Sequence, residues 1–156
     1  MTFPGTVSPL RGLDPFTESE RDVFMGRSSA RDDVCAMVTA DTFRAGLLHG
    51  DTGVGKTSLL RASVLPHLRD HGVIAIAADD PAAPARSLAI ALTSIGLQPI
   101  PGETPVAFLA RTVSSAVMGQ QFVFAVDDAD LVCADDNVVS ELAELFSRVV
   151  SRSSGR

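Results

Sequence analysis

Uncharged apolar residues form two unbroken runs, and each run is followed directly by two aspartates. The runs are residues 73–78 (VIAIAA) and residues 122–126 (FVFAV). Continuous apolar character over this length is typical of parallel strands that are covered on both faces. A shorter run at residues 45–49 (AGLLH) ends at Gly50, and we predict that it forms a buried parallel strand as well.

Apolar residues at helical spacing predict five helices between and around these strands. In the first helix, Val34, Met37 and Val38 are predicted to face the core, with Cys35 as a further candidate. Strands that alternate with helices predict an α/β sandwich with a parallel sheet. The five helical spans are residues 29–42, 56–70, 84–95, 104–118 and 137–150.

Local signals describe the N-terminal part and the last residues. Thr17 and Glu20 form a T-x-x-E capping box, which predicts a short acidic helix that ends before Gly26. Residues 1–15 contain three prolines and two glycines and are expected to be extended. Residues 152–156 (RSSGR) are expected to be a frayed tail.

Composition and charge argue against several classes of function. The chain has 156 residues, of which 46% are apolar, and this is enough to bury one core of ordinary size. A net charge of −6 gives no general attraction to nucleic acid or anionic lipid. The apolar runs are far shorter than the roughly 20 residues of a membrane-spanning helix. The N-terminus lacks the features of a secretory signal, so we expect a cytoplasmic protein without a membrane or nucleic-acid partner.

The strongest chemical signal is the segment GDTGVGKT at residues 50–57, which matches the phosphate-binding pattern G-x-x-x-x-G-K-[ST]. Glycines allow the backbone to turn sharply and to approach an anion without a Cβ atom in the way. The chain has twelve arginines but a single lysine, and that lysine is Lys56 of this segment. A compact ammonium can enter a backbone cradle that a planar guanidinium does not fit. The segment is therefore predicted to be a P-loop, or Walker A motif.

The mechanism of P-loop proteins predicts a role for each part of this segment. Backbone N–H groups and the N-terminus of the following helix would hold the phosphates. Lys56 would reach the β and γ phosphates as a catalytic cation, and the Thr57 hydroxyl would ligate Mg²⁺. The predicted nucleotide-binding residues of the segment are Gly50, Asp51, Thr52, Gly53, Val54, Gly55, Lys56, Thr57 and Ser58.

The aspartates after residues 122–126 are the second candidate site, a Walker B motif. Ligands of open α/β sheets bind at the carboxyl ends of the strands, so Asp127 is predicted to hold Mg²⁺ through water and Asp128 to orient the attacking water. Taken alone, the pattern is weak, because strands often end in aspartate.

Two other groups of residues with metal-binding side chains are predicted to have structural roles. The pairs 79–80 and 135–136 are predicted to be turn and cap residues, and His67 and His71 are predicted to be surface histidines at a helix end.

Two segments resemble the novel STAND NTPases, a group within the STAND class of P-loop ATPases. Residues 11–27 (RGLDPFTESERDVFMGR) resemble the GL-x-PF segment and FFGR-like motif of that group. Residues 50–68 (GDTGVGKTSLLRASVLPHL) resemble its GxxGxGKSSLxRAGLLPxL motif, and the resemblance covers residues 9–130. The matching residues outside the generic loop are Leu13, Pro15, Phe16, Phe24, Gly26, Arg27, Leu59, Arg61, Ala62, Leu65, Pro66 and Leu68.

The resemblance implies a fold, a ligand and a class of function. The fold would be a P-loop NTPase three-layer sandwich with a mostly parallel sheet, which we expect to be incomplete at its C-terminal end. Phe24, Gly26 and Arg27 would border the adenine of ATP or ADP, bound together with Mg²⁺. The protein would be an ATP-controlled signalling switch that works with further sensor or effector domains or protein partners and forms a nucleotide-dependent oligomer.

This fold implies three regions along the chain. They are an N-terminal extended segment with a short helix at residues 1–26, a partial P-loop NTPase core at 27–151 and a tail at 152–156. We expect the chain to be the N-terminal part of a longer protein or a naturally short one, and the residues do not decide between the two.

A P-loop also occurs in proteins with other functions. A Ras-type GTPase needs an [NT]-K-x-D motif, which a chain with Lys56 as its single lysine cannot supply. A small-molecule kinase and a non-catalytic ATP-binding adaptor both stay open. ATP hydrolysis is expected to be slow or absent, because Asp128 is one methylene shorter than the glutamate of many related ATPases. In addition, Arg148, the nearest arginine after the acidic strand, is expected to form a salt bridge or to lie in solvent.

Overall fold

A computed structural model describes residues 14–116, 120–128 and 135–153, and the chain divides into two units between His71 and Gly72. In the first unit, one turn of 3₁₀ helix at Glu18–Glu20 precedes helix α1, Ser28–Val38. Helix α2 follows at residues 56–70. The predicted extended segment lies mostly outside the described residues.

Helix α2 has a wide turn in its middle. It is α-helical at Lys56–Ser58 and Leu65–Asp70, and the stretch between them, Leu59–Val64, is π-helical. The N–H of Leu65 donates to the carbonyl of Leu60, five residues back. Pro66 accounts for the wide turn, because it has no N–H to donate to the preceding turn and its ring would clash with a regular α-helical backbone. Helix α2 is thus predicted correctly, but its local winding is not.

The capping box at the start of the 3₁₀ turn is confirmed. The Glu20 carboxylate accepts hydrogen bonds from the Thr17 N–H at 3.0 Å and from the Thr17 hydroxyl at 2.9 Å. Glu20 is buried, and these two donors satisfy its charge in place of water. The helix ends well before Gly26, as predicted.

Helix α1 is shorter than predicted, and its predicted apolar face is only partly correct. It ends at Val38 instead of residue 42. Directly after this end, the hydroxyl and the N–H of Thr39 both donate to the Cys35 carbonyl, at 2.8 Å and 3.1 Å. Cys35 is buried against α2, whereas Met37 is 59% exposed, so the predicted inward orientation of Met37 is wrong. Burial raises the pKa of the Cys35 thiol, which favours its neutral, apolar form.

The predicted strand at residues 45–49 is wrong. These residues form no strand, and Leu47 and Leu48 are exposed, at 74% and 42%. The run contains three apolar residues interrupted by Gly46, which lacks a side chain to pack and weakens a strand. An apolar run this short is not enough to specify a buried strand.

The second unit contains a parallel two-stranded sheet within the described part of the chain. Strand β1 is Ile74–Ala78 and strand β2 is Phe122–Val126, with Ile74 opposite Phe122 and Ala78 opposite Val126. Both strands are as predicted to within one residue. The burial of β1 agrees with the prediction, because most of its residues are buried. All five residues of β2 are half-buried instead of buried, so the predicted burial of β2 is wrong.

Three helices form the core of this unit with the sheet. They are α3 at Pro84–Ser94, α4 at Pro105–Ser114 and α5 at Asp136–Ser153. Helix α4 ends four residues before the predicted position, which itself lies outside the described residues. Helix α3 packs on β1 and α4, and α5 packs on α4. The core cluster consists of Ile76, Ala78, Ala85, Leu88, Leu92, Val106, Phe108, Leu109 and Leu145.

Side-chain caps fix the starts of two of these helices. The Thr104 hydroxyl accepts from the Ala107 N–H at 3.3 Å. Asp135 accepts from the Asn137 N–H at 2.8 Å, which confirms the predicted capping role of residues 135–136. The strands and helices of the described residues together form a mixed α/β architecture with a parallel sheet.

Among the described residues, no helix combines the length and the apolar character that crossing a bilayer requires.

Candidate phosphate-binding loop

The backbone of residues 50–55 turns through glycines in left-handed conformations. Gly53 and Gly55 have φ angles of 83° and 84°, a region that residues with a Cβ atom rarely adopt. A Cβ atom at Gly50 would lie 3.3 Å from Cγ2 of Val54, so the fold of the loop brings its first and fifth residues together. The glycines predicted to shape a phosphate cradle are therefore at positions that need them.

Lys56 closes this loop at the start of α2. Its Nζ donates to the carbonyl oxygen of Gly50 at 2.8 Å and to that of Asp51 at 3.1 Å. The side chain of the first helical residue thus reaches back to the first two residues of the loop. It lies partly in solvent, where it is accessible to an anion.

Several N–H groups of the loop are available as donors. Within the described part of the chain, the backbone N–H groups of Thr52, Gly53 and Gly55 have no acceptor in the protein. The N–H of Val54 has a long bond to the carbonyl of Asp51, at 3.4 Å. Free donors on a tight turn at a helix N-terminus are suited to phosphate oxygens, so the loop fits the phosphates of a nucleotide.

Two residues of the first unit contact the loop and the first turn of α2 from the N-terminal side. Nη2 of Arg27 donates to the carbonyl oxygen of Val54 at 2.8 Å. The backbone N–H of Phe16 donates to Oγ of Ser58, which is buried, at 3.0 Å. Sequence reasoning missed both contacts, although the family motif includes Phe16 and Arg27.

Aromatic and ionic contacts hold the N-terminal segment, residues 16–24, along the first unit. The rings of Phe16 and Phe24 lie 5.5 Å apart between centroids. Glu18 pairs with Arg69, and Arg21 pairs with Asp70 at 3.2 Å, both at the far end of α2. The N-terminal segment therefore runs from the first turn of α2 to its last. Phe24 is half-buried, and Gly26, with a φ angle of 83°, turns the chain into α1.

Asp127 and Asp128 directly follow β2 in the second unit, as the motif predicts. Asp127 is half-buried, whereas Asp128 is exposed. Asp128 has a φ angle of 53°, and its N–H donates to Oδ1 of Asp127 at 3.1 Å. Aspartate tolerates the left-handed region better than most residues, because its short side chain can bond locally. The backbone therefore leaves the extended conformation of β2 at Asp128.

Other residues with metal-binding potential have structural contacts. Asp80 accepts from the Ala82 N–H at 2.9 Å, which confirms the predicted turn after β1. Nδ1 of His71 lies 2.8 Å from the carbonyl oxygen of His67, and the two rings are 4.3 Å apart at the end of α2. No cluster of three or more metal-binding side chains occurs among the residues that the structure describes.

Comparison with known proteins identifies the family of this chain. The model of one protein family, Novel STAND NTPase 1, matches residues 9–154 of the chain. Neither a curated protein nor a solved structure shows significant similarity. The match extends over nearly the whole chain and includes both the loop at residues 50–57 and the N-terminal segment. The chain therefore belongs to the Novel STAND NTPase 1 family.

Proposed function

We propose that this protein is a P-loop switch domain that binds ATP or ADP together with Mg²⁺. Membership of a STAND NTPase family supports a nucleotide-binding, switch-like domain. The observation that carries the specific proposal is the loop at residues 50–56. It combines left-handed glycines, N–H groups without protein acceptors in the described part, and the single lysine of the chain.

Binding would exchange contacts within the loop for contacts to phosphate. The N–H groups of Thr52, Gly53 and Gly55 would donate to phosphate oxygens, and the ammonium of Lys56 would turn from the Gly50 and Asp51 carbonyls towards the outer phosphates. The bonds from the Lys56 ammonium are charge-assisted with either acceptor, but a phosphate also carries the opposite charge and attracts the ammonium electrostatically. The loop would therefore give up two bonds to neutral carbonyls and gain bonds to an anion.

The remaining site residues are proposed from the motifs. Thr57, in the first turn of α2, would ligate Mg²⁺ through its hydroxyl, and Asp127 would hold the ion through water. When bound, Mg²⁺ neutralises charge on the phosphates. The family resemblance implies that Phe24, Gly26 and Arg27 border the adenine, and Asp128 would orient a water molecule. Hydrolysis by this chain alone is proposed to be slow or absent, so that bound nucleotide acts as a conformational lock.

The finer structural and cellular assignments are also proposals. The parallel pair of strands, with helix α3 packed on β1, supports the proposal of a three-layer P-loop NTPase sandwich with a core at residues 27–151. The protein would work in the cytoplasm with sensor or effector domains, or with protein partners, and would form a nucleotide-dependent oligomer. A non-catalytic adaptor and a small-molecule kinase are the alternatives. Product analysis separates them, because a hydrolase releases phosphate, a kinase phosphorylates an acceptor and an adaptor leaves ATP intact.

A calorimetric titration with Mg·ADP tests the proposal. Lys56→Ala should bind at least about 100-fold more weakly than the wild type, because the charged donor to phosphate is lost. Arg44→Ala is a matched control. Arg44 is also a cation that donates to two main-chain carbonyls, those of Asp41 and Phe43, but it lies outside the loop. Equal affinity of the wild type and Lys56→Ala would refute nucleotide binding by this loop.

A further inference from the structure

The Arg27 side chain holds one particular peptide group of the phosphate-binding loop. Its guanidinium donates to the carbonyl of Val54 at 2.8 Å, across 27 positions of sequence. Val54 lies between Gly53 and Gly55, and both of these glycines are in left-handed conformations. The contact therefore holds the peptide backbone between the two left-handed glycines of the loop.

Fixing this carbonyl also fixes an N–H group. The carbonyl of Val54 and the N–H of Gly55 belong to one peptide group, which is not cis. In a planar trans peptide, the C=O and the N–H point in opposite directions. Because Arg27 holds the carbonyl on one side, the N–H of Gly55 is directed to the other side, where it has no acceptor in the described part of the protein.

The residue after this peptide group gives the backbone conformational freedom. Gly55 has no Cβ atom to restrict its dihedral angles, and a Cβ there would meet no atom within 4 Å. The hydrogen bond from Arg27 to the Val54 carbonyl restricts this freedom. Lys56 holds the other end of the loop, through the carbonyls of Gly50 and Asp51. Arg27 and Lys56 thus hold two different parts of the same loop.

We propose that Arg27 is a positioning residue for the phosphate-binding loop. Its guanidinium holds the peptide between Val54 and Gly55 so that the N–H of Gly55 is directed at a phosphate of the bound nucleotide. This proposal rests on the nucleotide-binding function proposed above. In this proposal the side chain of Arg27 acts on the loop that binds the phosphates. The family resemblance implies a place beside the adenine instead.

The test compares Arg27→Met with the wild type, because methionine keeps the length of the side chain and removes its donors. The backbone carbonyl of Arg27, which accepts from the Arg31 N–H at the start of α1, is unchanged. The matched control is Arg31→Met on the same helix, since the Arg31 side chain donates to Asp32 and not to the loop. Affinities for ADP, GDP and pyrophosphate are measured by calorimetry, and the amide resonance of Gly55 is followed by NMR in the free protein.

Arg27→Met should bind all three ligands about ten-fold more weakly, with the ratio of ADP to GDP affinity unchanged. The Gly55 resonance should move in Arg27→Met but not in Arg31→Met. Arg27→Lys should recover part of the affinity, because an ammonium can still donate one hydrogen bond to the carbonyl.

Unchanged affinities, or a loss confined to ADP, would overturn the proposal, and the second result would place Arg27 at the base. An unmoved Gly55 resonance in Arg27→Met would overturn it as well. If the wild type binds no nucleotide, the proposed function fails, but the resonance in the free protein still decides whether Arg27 holds this peptide group.

Discussion

Arg111 and Glu103 form a paired hydrogen bond in which each carboxylate oxygen accepts from a different guanidinium nitrogen at 2.8 Å. The same carboxylate accepts from the Ile100 N–H at 3.0 Å, and Arg111 also donates to the Gln98 carbonyl. Only 11% of the Glu103 side chain is exposed. The pair therefore ties the loop before α4 to the body of that helix.

This pair makes stability depend on pH in the acid range. The hydrogen bonds from Arg111, and then that from Ile100, lower the pKa of Glu103 to about 2. A carboxylate with a lowered folded-state pKa stabilises the protein fully above its unfolded-state pKa of roughly 4.3, and this stabilisation is lost as the pH falls towards 2. Glu103→Gln should lower the urea midpoint at pH 7, and its difference from the wild type should shrink between pH 5 and pH 2.

The control for this measurement is Glu144→Gln. Glu144 pairs with Arg148 on the surface of α5, and half of each side chain is exposed. Exposed pairs of this kind contribute about 0.5 kcal/mol or less, so the urea midpoint should change little at any pH. A difference between Glu103→Gln and the wild type that stayed constant from pH 7 to pH 2 would contradict the role of the Glu103 charge.

Steady-state ATP turnover by this chain should be far below about 1 s⁻¹, the lower end of ordinary enzyme rates. Asp128 has a short side chain on a left-handed residue, which limits how it can orient water. Arg148 pairs with Glu144 at 2.8 Å, as expected from the sequence, and an arginine finger contributes about 10³ to 10⁵ in rate where one is used. A phosphate-release assay checks this, and turnover near 1 s⁻¹ that Asp128→Asn abolishes would show a complete catalytic site.

Loss of the hydroxyl of Ser58 should loosen the N-terminal segment. In Ser58→Ala the N–H of Phe16 loses its acceptor, which should cost about 1 kcal/mol of the free energy of unfolding. Amide exchange at Phe16 should become faster at the same time. Ser63→Ala, on the same helix, is the control, and the idea fails if both variants show the same exchange at Phe16.

Truncation of a core residue in α3 should lower the stability of the protein. Leu88 has no exposed surface and belongs to the core cluster, so Leu88→Ala should lower the free energy of unfolding by about 2–5 kcal/mol. Ile90 lies on the same helix but is 61% exposed. Ile90→Ala should therefore change the free energy of unfolding by no more than about 0.5 kcal/mol. Chemical denaturation of both variants gives the comparison, and similar losses would mean that the core is not where the structure has it.

Elements with strong local signals were predictable from the sequence. The capping box at Thr17, the strand Phe122–Val126 and the start of α3 at Pro84 depend on neighbouring residues, and all three are confirmed. The run at residues 45–49 was too short to determine its own structure. The wide turn in α2 depends on Pro66, and although the proline was visible, its effect on the winding of the helix was not predicted.

In the candidate site, the residues of the loop were predicted from the sequence, but the contacts that other residues make with them were not. The residues of the loop follow a fixed pattern, so their identity was predicted from spacing alone. The contacts of Arg27 with Val54 and of Phe16 with Ser58 join residues 27 and 42 positions apart, respectively. Such contacts are set by packing in three dimensions and leave no periodic trace in the sequence. They became visible only with the structure.

The half-buried strand β2 has a consequence for the behaviour of the protein at high concentration. It pairs with β1 along one edge, and within the described residues no other strand pairs with it. Its sequence, FVFAV, is uncharged, aromatic and β-branched, the composition of a segment that can recruit an identical segment from another molecule. Asp127 and Asp128 directly follow, and like-charged side chains at the end of such a segment oppose the stacking of copies. Self-association should therefore increase when Asp127→Asn and Asp128→Asn together remove this repulsion.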